Sequence, residues 1–243
     1  MTKISQKEQL ERDGFLILPD MFSAEEVAEV ADRLDQLWAR FRDLPSSHAQ
    51  DIAVSGAASP VLRAPEVNRA IRLDHALART GVYRKCHGLA RELRGTLAAY
   101  VFDHAIAKTP QGNAETPWHQ DQSFTGHRTT LRTVHFWIPL QDVDENNGCM
   151  HFIPGSNHRG LVPHDSLKNA SGGMTLRARE VDAASALAAP LAAGGMTVHM
   201  PLTLHFTGPN RSASARRAWI LHFGPLGWLA KLSPKLLLEK YLQ

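Results

Sequence analysis

The chain reads as an α+β fold, mainly β, in which helices come first and back one side of a later sheet system. Two observations predict this. Up to about residue 95, apolar residues recur at helical spacing behind recognisable helix starts. From Thr96 onward they gather in short runs parted by Gly, Pro and Asn clusters, the pattern of antiparallel strands and their turns.

Ser5 with Glu8 and Ser23 with Glu26 have the S-x-x-E spacing in which hydroxyl and carboxylate satisfy orphan backbone amides reciprocally, so each pair marks a helix start. Between them Phe15-Leu16-Ile17-Leu18, ended by Pro19, suits a strand. The second helix carries Val27, Val30, Ala31, Leu34, Leu37, Trp38 and Phe41 as one buried stripe. Residues 43–60 are polar and aperiodic and read as a loop. Helical spacing resumes from Pro65, a good first-turn residue, through Val67, Ile71 and Leu77, and again at Val82, Cys86, Leu89 and Leu93. The strand-like runs are 97–102, 134–140, 149–153, 196–200 and 219–223. Residues 171–195, with two Gly-Gly pairs and an alanine-rich run, show no core periodicity; a mobile segment near a pocket mouth and a surface excursion both fit. The tail 226–243 mixes Trp228, Leu232 and Leu236 with Lys231, Lys235 and Lys240. Such a basic amphipathic segment can lie on a membrane, although packing on its own domain or on a second subunit is commoner, which admits a homodimer. The expected organisation is one domain over 1–243: a helical part to about 95, a strand-built core over about 96–225, and the tail.

Composition narrows the function. Hydrophobic residues at 43% and charged residues at 21% exclude a disordered chain. A net charge of +3 on scattered basic residues gives no nucleic-acid footprint. Cys86 and Cys149 are too few for a disulfide framework or a thiolate zinc site and fit a reduced cytosol. The polar N-terminus lacks the apolar stretch of a secretory signal, and no run approaches a membrane span, so a cytoplasmic protein is expected.

The chemistry concentrates at His119-Gln120-Asp121 and, far along the chain, His205. Two imidazoles and one carboxylate are the protein ligands of a non-haem Fe(II) site that keeps three positions open. A single intervening residue lets His119 and Asp121 leave one face of a strand. Around them, in order, stand W-H-x-D at Trp118, W-x-x-L at Trp137, E-N-x-G at Glu145, P-G-S at Pro154, and H-x4-N-x5-R from His205 through Asn210 to Arg216. In this combination the chain resembles the phytanoyl-CoA dioxygenase family of Fe(II)/2-oxoglutarate oxygenases, from Asp13-Gly14-Phe15 to about Phe223.

That resemblance implies a double-stranded β-helix, or jelly roll, with the N-terminal helices packed on one side. It implies that His119, Asp121 and His205 bind iron and that Arg216 binds the distal carboxylate of 2-oxoglutarate. A guanidinium fork matches a carboxylate bidentately, and strand alternation turns the adjacent Arg217 to the other face. Thr207 sits where the family usually has serine and keeps the hydroxyl. Trp137 falls at a cosubstrate-lining position, with a plain core tryptophan as the alternative; Lys108 resembles a lysine often found ahead of the iron motif, where an anion contact and a solvated strand end are both open. His135 shares a face with Trp137 and could look into the pocket, although a hydrogen-bonded structural histidine is more usual there; His151, His199 and His222 read as satisfied core or surface groups more often than as ligands. Gln122, Phe124, His127, Arg128 and Arg132 are pocket candidates by proximity, and Asn157 departs from the family, which commonly continues P-G-S with His.

The function implied is oxidative decarboxylation of 2-oxoglutarate with O2, yielding succinate and CO2 and hydroxylating a small organic molecule. Desaturation, cyclisation or epimerisation at the same site are the variants. Asp121 argues against halogenation, since related halogenases have a small residue there. Two rivals remain: a jelly-roll enzyme using these ligands without a keto acid, against which Arg216 speaks, and a catalytically silent binding protein, against which the complete ligand set speaks.

Overall fold

The computed structural model describes residues 4–54, 61–125 and 133–225; His127, Arg128, Arg132 and the tail 226–243 lie outside the described residues. In chain order, α1 (Gln6–Asp13) leads into β1 (Phe15–Leu18), α2 (Ala24–Ala39), β2 (Ala49–Asp51), β3 (Pro65–Asn68), α3 (Ala70–Leu73) and α4 (Gly81–Arg94). The long β4 (Ala98–Lys108) and β5 (Thr116–His119) then precede α5 (Gln122–Thr125), β6 (Val134–Pro139) and β7 (Met150–Phe152). A hairpin of β8 (His164–Lys168) and β9 (Met174–Ala178) is followed by β10 (Leu187–Ala189), β11 (Met196–His199), β12 (His205–Thr207) and β13 (Arg216–Pro225).

Both capping boxes form, at Ser5/Glu8 and Ser23/Glu26, so α1 and α2 begin where the sequence places them. Gly14 ends α1 in the left-handed region, φ 86°, and a Cβ there would stand 2.5 Å from the Thr203 hydroxyl. Only glycine lets the chain turn from α1 into β1 at that point.

Two antiparallel sheets face each other in a jelly roll. The larger runs β1-β11-β6-β13-β4-β3-β2 and the smaller β10-β7-β12-β5. Strand alternation divides the apolar residues of the large sheet between two main cores. On the outer face of the large sheet, Phe136, Ile138, Trp219, Leu221 and Phe223 pack with Val30, Leu34 and Leu37 of α2 and Cys86 and Leu89 of α4. On the inner face Trp137, Ala218 and Ile220 meet Met150 and Phe152 of the small sheet, and Phe15 stacks on Phe152 at 4.5 Å between ring centres.

Three expectations are corrected. Residues 65–68 are a strand and not the first turn of a helix: Glu66–Asn68 pair with Ile106–His104, and Pro65, which has no N–H to donate, stands at the strand's first position. Residues 43–60 include β2, which pairs with β3, so the part expected to be helical supplies three strands of the large sheet, β1, β2 and β3. Residues 171–195, expected as a mobile segment or a surface excursion without core periodicity, hold β9 and β10, and β10 pairs with β7 through Leu187↔Phe152.

Candidate metal centre

β5 and β12 are neighbours in the small sheet, and their register sets His119 directly across from His205. Each imidazole has its Nδ1 against the carbonyl two residues back, His119 on Pro117 at 2.7 Å and His205 on Thr203 at 2.9 Å. A carbonyl can only accept, so Nδ1 carries the proton and Nε2 is left as a lone-pair donor. Both Nε2 atoms point at Asp121 Oδ1, at 3.3 and 3.5 Å. Asp121 reaches this place differently from the simple strand alternation expected. The strand ends at His119, and Asp121 opens the turn into α5, its carbonyl accepting from Phe124 N. Gln120, fully buried, points the other way: its amide donates to Gly160 O and Leu202 O and its oxygen accepts from Val162 N, which fixes the direction of its two neighbours.

His119, Asp121 and His205 thus offer three ligand atoms within 4.8 Å of one another. Their charges are coupled. Burial alone would raise the Asp121 carboxyl, but the neighbouring His205 and His135 outweigh it and hold it well below the usual carboxylate range. Burial opposes a charge on His205, yet Asp121 prevails and its pKa rises; burial and the proximity of His205 push His119 down. The site is poised around one fixed negative charge.

A second pair of histidines, His135 and His199, also reaches Asp121: His135 Nδ1 lies 2.5 Å and His199 Nε2 3.0 Å from Oδ2. Burial, reinforced by His205, takes His199 down to about 3. Sequence reasoning left both as structural histidines. The signal available was their placement, each at an inward position of a buried central strand.

On the inner face of the large sheet, Arg216 stands opposite Lys108. Arg216 is 1% exposed, its guanidinium lies 5.5 Å over the Trp137 ring, and its Nε and Nη1 have no hydrogen-bond partner among the described residues. Burial without a facing carboxylate pulls its pKa down to about 10, still protonated at neutral pH. Arg217 turns to the outer face and pairs with Asp35 of α2, as strand alternation requires. Trp137 is 3% exposed and belongs to the inner core while also carrying the cation.

Lys108 is neither a solvated strand end nor a free anion contact. Buried, it directs its Nζ at Thr207 O, Thr207 Oγ1 and Gly208 O at 2.9, 2.8 and 2.7 Å, so its donors are engaged, while burial and the neighbouring Arg216 hold its pKa well below the ordinary lysine value. Because Thr207 Oγ1 accepts from Lys108, the Thr207 hydroxyl proton is free to be donated elsewhere. Asn210, missed as a site residue, staples the turn between β12 and β13: its amide donates to Lys108 O and Ser214 O, and its oxygen accepts from Ser212. That explains the asparagine between His205 and Arg216: it holds the register that brings Arg216 back beside Lys108. Gly148, φ 91°, packs so tightly on this turn that a Cβ would lie 2.5 Å from Gly208 O.

Of the proximity candidates, Gln122 is buried with its N–H on Pro201 O, and Phe124 is exposed with its ring edge-on to His119 at 5.7 Å. His151 lies away from the cluster, against Phe206. Asn157 is built into the α1 end, donating to Glu11 O. Among the described residues no helix is long and apolar enough to cross a membrane.

Comparison with known proteins agrees with this architecture. The family model described as Phytanoyl-CoA dioxygenase (PhyH) matches residues 10–218. Phytanoyl-CoA dioxygenase domain-containing protein 1 of Bos taurus is 26% identical over 259 residues, covering 90% of this chain and 88% of that protein. L-proline trans-4-hydroxylase of Streptomyces griseoviridis is 30% identical over 155 residues, covering 62% and 54%. Among solved structures, EvdO2 from Micromonospora carbonacea var. aurantiaca complexed with 2-oxoglutarate superposes with a TM-score of 0.76 at 28% identity, covering 93% of this chain and 92% of that one.

Proposed function

The chain belongs to the phytanoyl-CoA dioxygenase family and is a 2-oxoglutarate-dependent non-haem iron dioxygenase, and from that premise we propose that it hydroxylates a small polar organic molecule, with His119, Asp121 and His205 holding the iron and Arg216 with Thr207 receiving the cosubstrate's distal carboxylate. The observation that carries the assignment is Arg216: a buried guanidinium with two unpartnered N–H groups beside Lys108, whose Nζ is already engaged. Leaving such donors unpaired is costly, and a carboxylate satisfies them. The donor set fits Fe(II) equally well, with two imidazoles in the correct tautomer and one carboxylate that stays ionised.

When bound, iron and 2-oxoglutarate supply the oxidising chemistry, in which the keto acid is decarboxylated to succinate and CO2 and one oxygen atom of O2 enters a substrate C–H bond. The chain's own groups prepare for it. Arg216 and Thr207 anchor and orient the cosubstrate. Trp137, Phe152 and Ile220 keep the inner core dry, so the guanidinium acts in a low dielectric where its pairing is strong. Lys108 acts through Thr207, fixing the direction of its hydroxyl.

A polar substrate is supported by the polar side chains on the inner face of the large sheet near Asp121. His135, His222 and His104 lie on the inner face of the large sheet, His104 is 2.6 Å from Glu66, and Asn68 stands across from His104. These groups pair with one another and with Asp121, so this face is a polar, hydrogen-bonded lining and not the apolar one that a long acyl chain would favour. The likeness to a protein named as a proline hydroxylase points the same way. The test is succinate release with Fe(II), 2-oxoglutarate and 18O2 across amino acids, hydroxylated natural-product cores and palmitoyl-CoA. We expect succinate and one 18O per product from a polar member of the panel and none from palmitoyl-CoA; product formed without succinate would refute the reading.

A further inference from the structure

Asp121 has two oxygens in different surroundings. Oδ1 faces the Nε2 atoms of His119 and His205 at 3.3 and 3.5 Å, whereas Oδ2 is held by His135 Nδ1 at 2.5 Å and His199 Nε2 at 3.0 Å. Those two histidines are themselves fixed. His199, His135 and His222 form one row across β11, β6 and β13, because His199 pairs with His135 and His135 with His222. The His135 ring stacks on His222 at 3.8 Å, its Nε2 meets the Thr133 hydroxyl at 3.0 Å, and the His199 ring leans on Phe152 at 5.7 Å.

Resting on the iron assignment above, we propose that His135 and His199 are positioning residues that hold Asp121 by Oδ2, so that the carboxylate presents only Oδ1 to the metal and a coordination position stays open for the cosubstrate or O2. A carboxylate accepts and never donates, so His135 must carry its proton on Nδ1 and His199 on Nε2. With two N–H groups on Oδ2, that oxygen is poorly placed and less basic as a second ligand. Released, Asp121 would be free to chelate with both oxygens. Outer partners of this kind orient a ligand and tune its metal.

The same atoms could be taken for a second metal set, since Asp121, His135 and His199 also lie within 4.8 Å of one another. The short His135 contact argues otherwise. Ligand atoms each about 2.1 Å from one ion and about 90° apart are separated by about 3 Å, whereas His135 Nδ1 lies at 2.5 Å from Asp121 Oδ2, the length of a strong charge-assisted hydrogen bond.

The test compares anaerobic Fe(II) binding, by equilibrium dialysis of the full chain, in the wild type and four variants. His135→Leu and His199→Leu remove the donors at similar size. His135→Asn keeps an N–H near the Nδ1 position and His199→Gln keeps one near Nε2. We expect one iron per chain in the wild type, affinity about 10- to 100-fold weaker in each Leu variant, and recovery of most of it in the Asn and Gln variants. The Co(II)-loaded His135→Leu protein should show an altered ligand-field absorption as Asp121 loses its fixed orientation at the metal, while His135→Asn matches the wild type. A purely structural histidine would move neither affinity nor spectrum in this donor-dependent way. Should the Leu variants fail to fold, histidine-detected NMR of the Zn(II)-loaded wild type decides: His135 Nδ1 and His199 Nε2 keep their protons while the Nε2 signals of His119 and His205 shift as ligands. Leu variants that bind iron as the wild type does would overturn the proposal. So would two irons per chain falling to one in both Leu variants, which would make His135 and His199 ligands of a second ion. A wild type that binds no iron removes the underlying assignment itself, a result distinct from wild-type binding that the Leu variants leave unchanged.

Discussion

Arg216→Met separates the cosubstrate role of this side chain from its role in the core. Methionine fills much of the same volume but removes the guanidinium, whose Nε and Nη1 have no partner among the described residues and whose charge is almost completely buried. A charge-assisted hydrogen-bonded pair typically contributes about 1.5–3 kcal/mol, so losing it should weaken 2-oxoglutarate binding by roughly 10- to 150-fold. Stability of the unliganded protein should move the other way or not at all, because an isolated buried cation is a cost that methionine lifts. Arg217→Ala is the control. Its partner Asp35 is 47% exposed, and such surface pairs contribute about 0–1 kcal/mol, so cosubstrate binding should hardly change. The assay is calorimetric titration of 2-oxoglutarate into protein loaded with redox-inert Mn(II), with thermal melts of the unliganded proteins alongside. Unchanged binding in Arg216→Met, or a larger loss in Arg217→Ala, would refute the reasoning, the latter by placing the strand register one residue off.

His205→Ala should abolish turnover and reduce bound iron to well below one per chain, measured by metal analysis of the folded variant; full iron content would remove His205 from the ligand set. Gly14→Ala places a Cβ 2.5 Å from Thr203 Oγ1 in a backbone at φ 86° and should destabilise by about 1–3 kcal/mol, read by urea denaturation. Glu66→Gln should lower the melting temperature most between about pH 4.5 and pH 6.5, the ordinary values of the two groups of the Glu66–His104 pair. Despite burial, His104 holds the Glu66 pKa down, so its contribution disappears as pH falls below that window; the carboxylate holds His104 up, so that contribution is lost as pH rises above it. Asp121→Gly opens a metal position but leaves the surrounding groups unsuited to steering a radical to halide; product analysis in chloride buffer should show little chlorination, and chlorinated product from the unmodified protein would contradict the role of Asp121.

What the sequence disclosed was whatever local pattern encodes. Ser5 and Ser23 announce their helices because capping chemistry is contained within four residues, and the apolar runs around Trp137 and Trp219 announce central strands. The site candidates His119, Asp121, His205 and Arg216 were legible as a spaced motif, and the structure brings the first three together and turns Arg216 inward. β3 reads as a helix in the sequence because a leading proline suits either element; only its pairing with β4 decides, and that partner is distant in the chain. β9 and β10 were hidden by their small and exposed residues, which leave little apolar alternation to detect. The hold of His135 and His199 on Asp121 depends on the register of β6 and β11 and on where the turn after β5 places the carboxylate, which no spacing along the chain records. The place of Lys108 is hidden for a similar reason: its three acceptors lie about a hundred residues along the chain.

The most direct test of the iron and cosubstrate assignment is an anomalous difference map from crystals grown anaerobically with Fe(II) and 2-oxoglutarate. The account predicts a single iron peak within bonding distance of His119 Nε2, Asp121 Oδ1 and His205 Nε2, with the distal carboxylate of 2-oxoglutarate on Arg216 and Thr207. Iron seated instead among Asp121, His135 and His199, or a cosubstrate carboxylate bound away from Arg216, would contradict it.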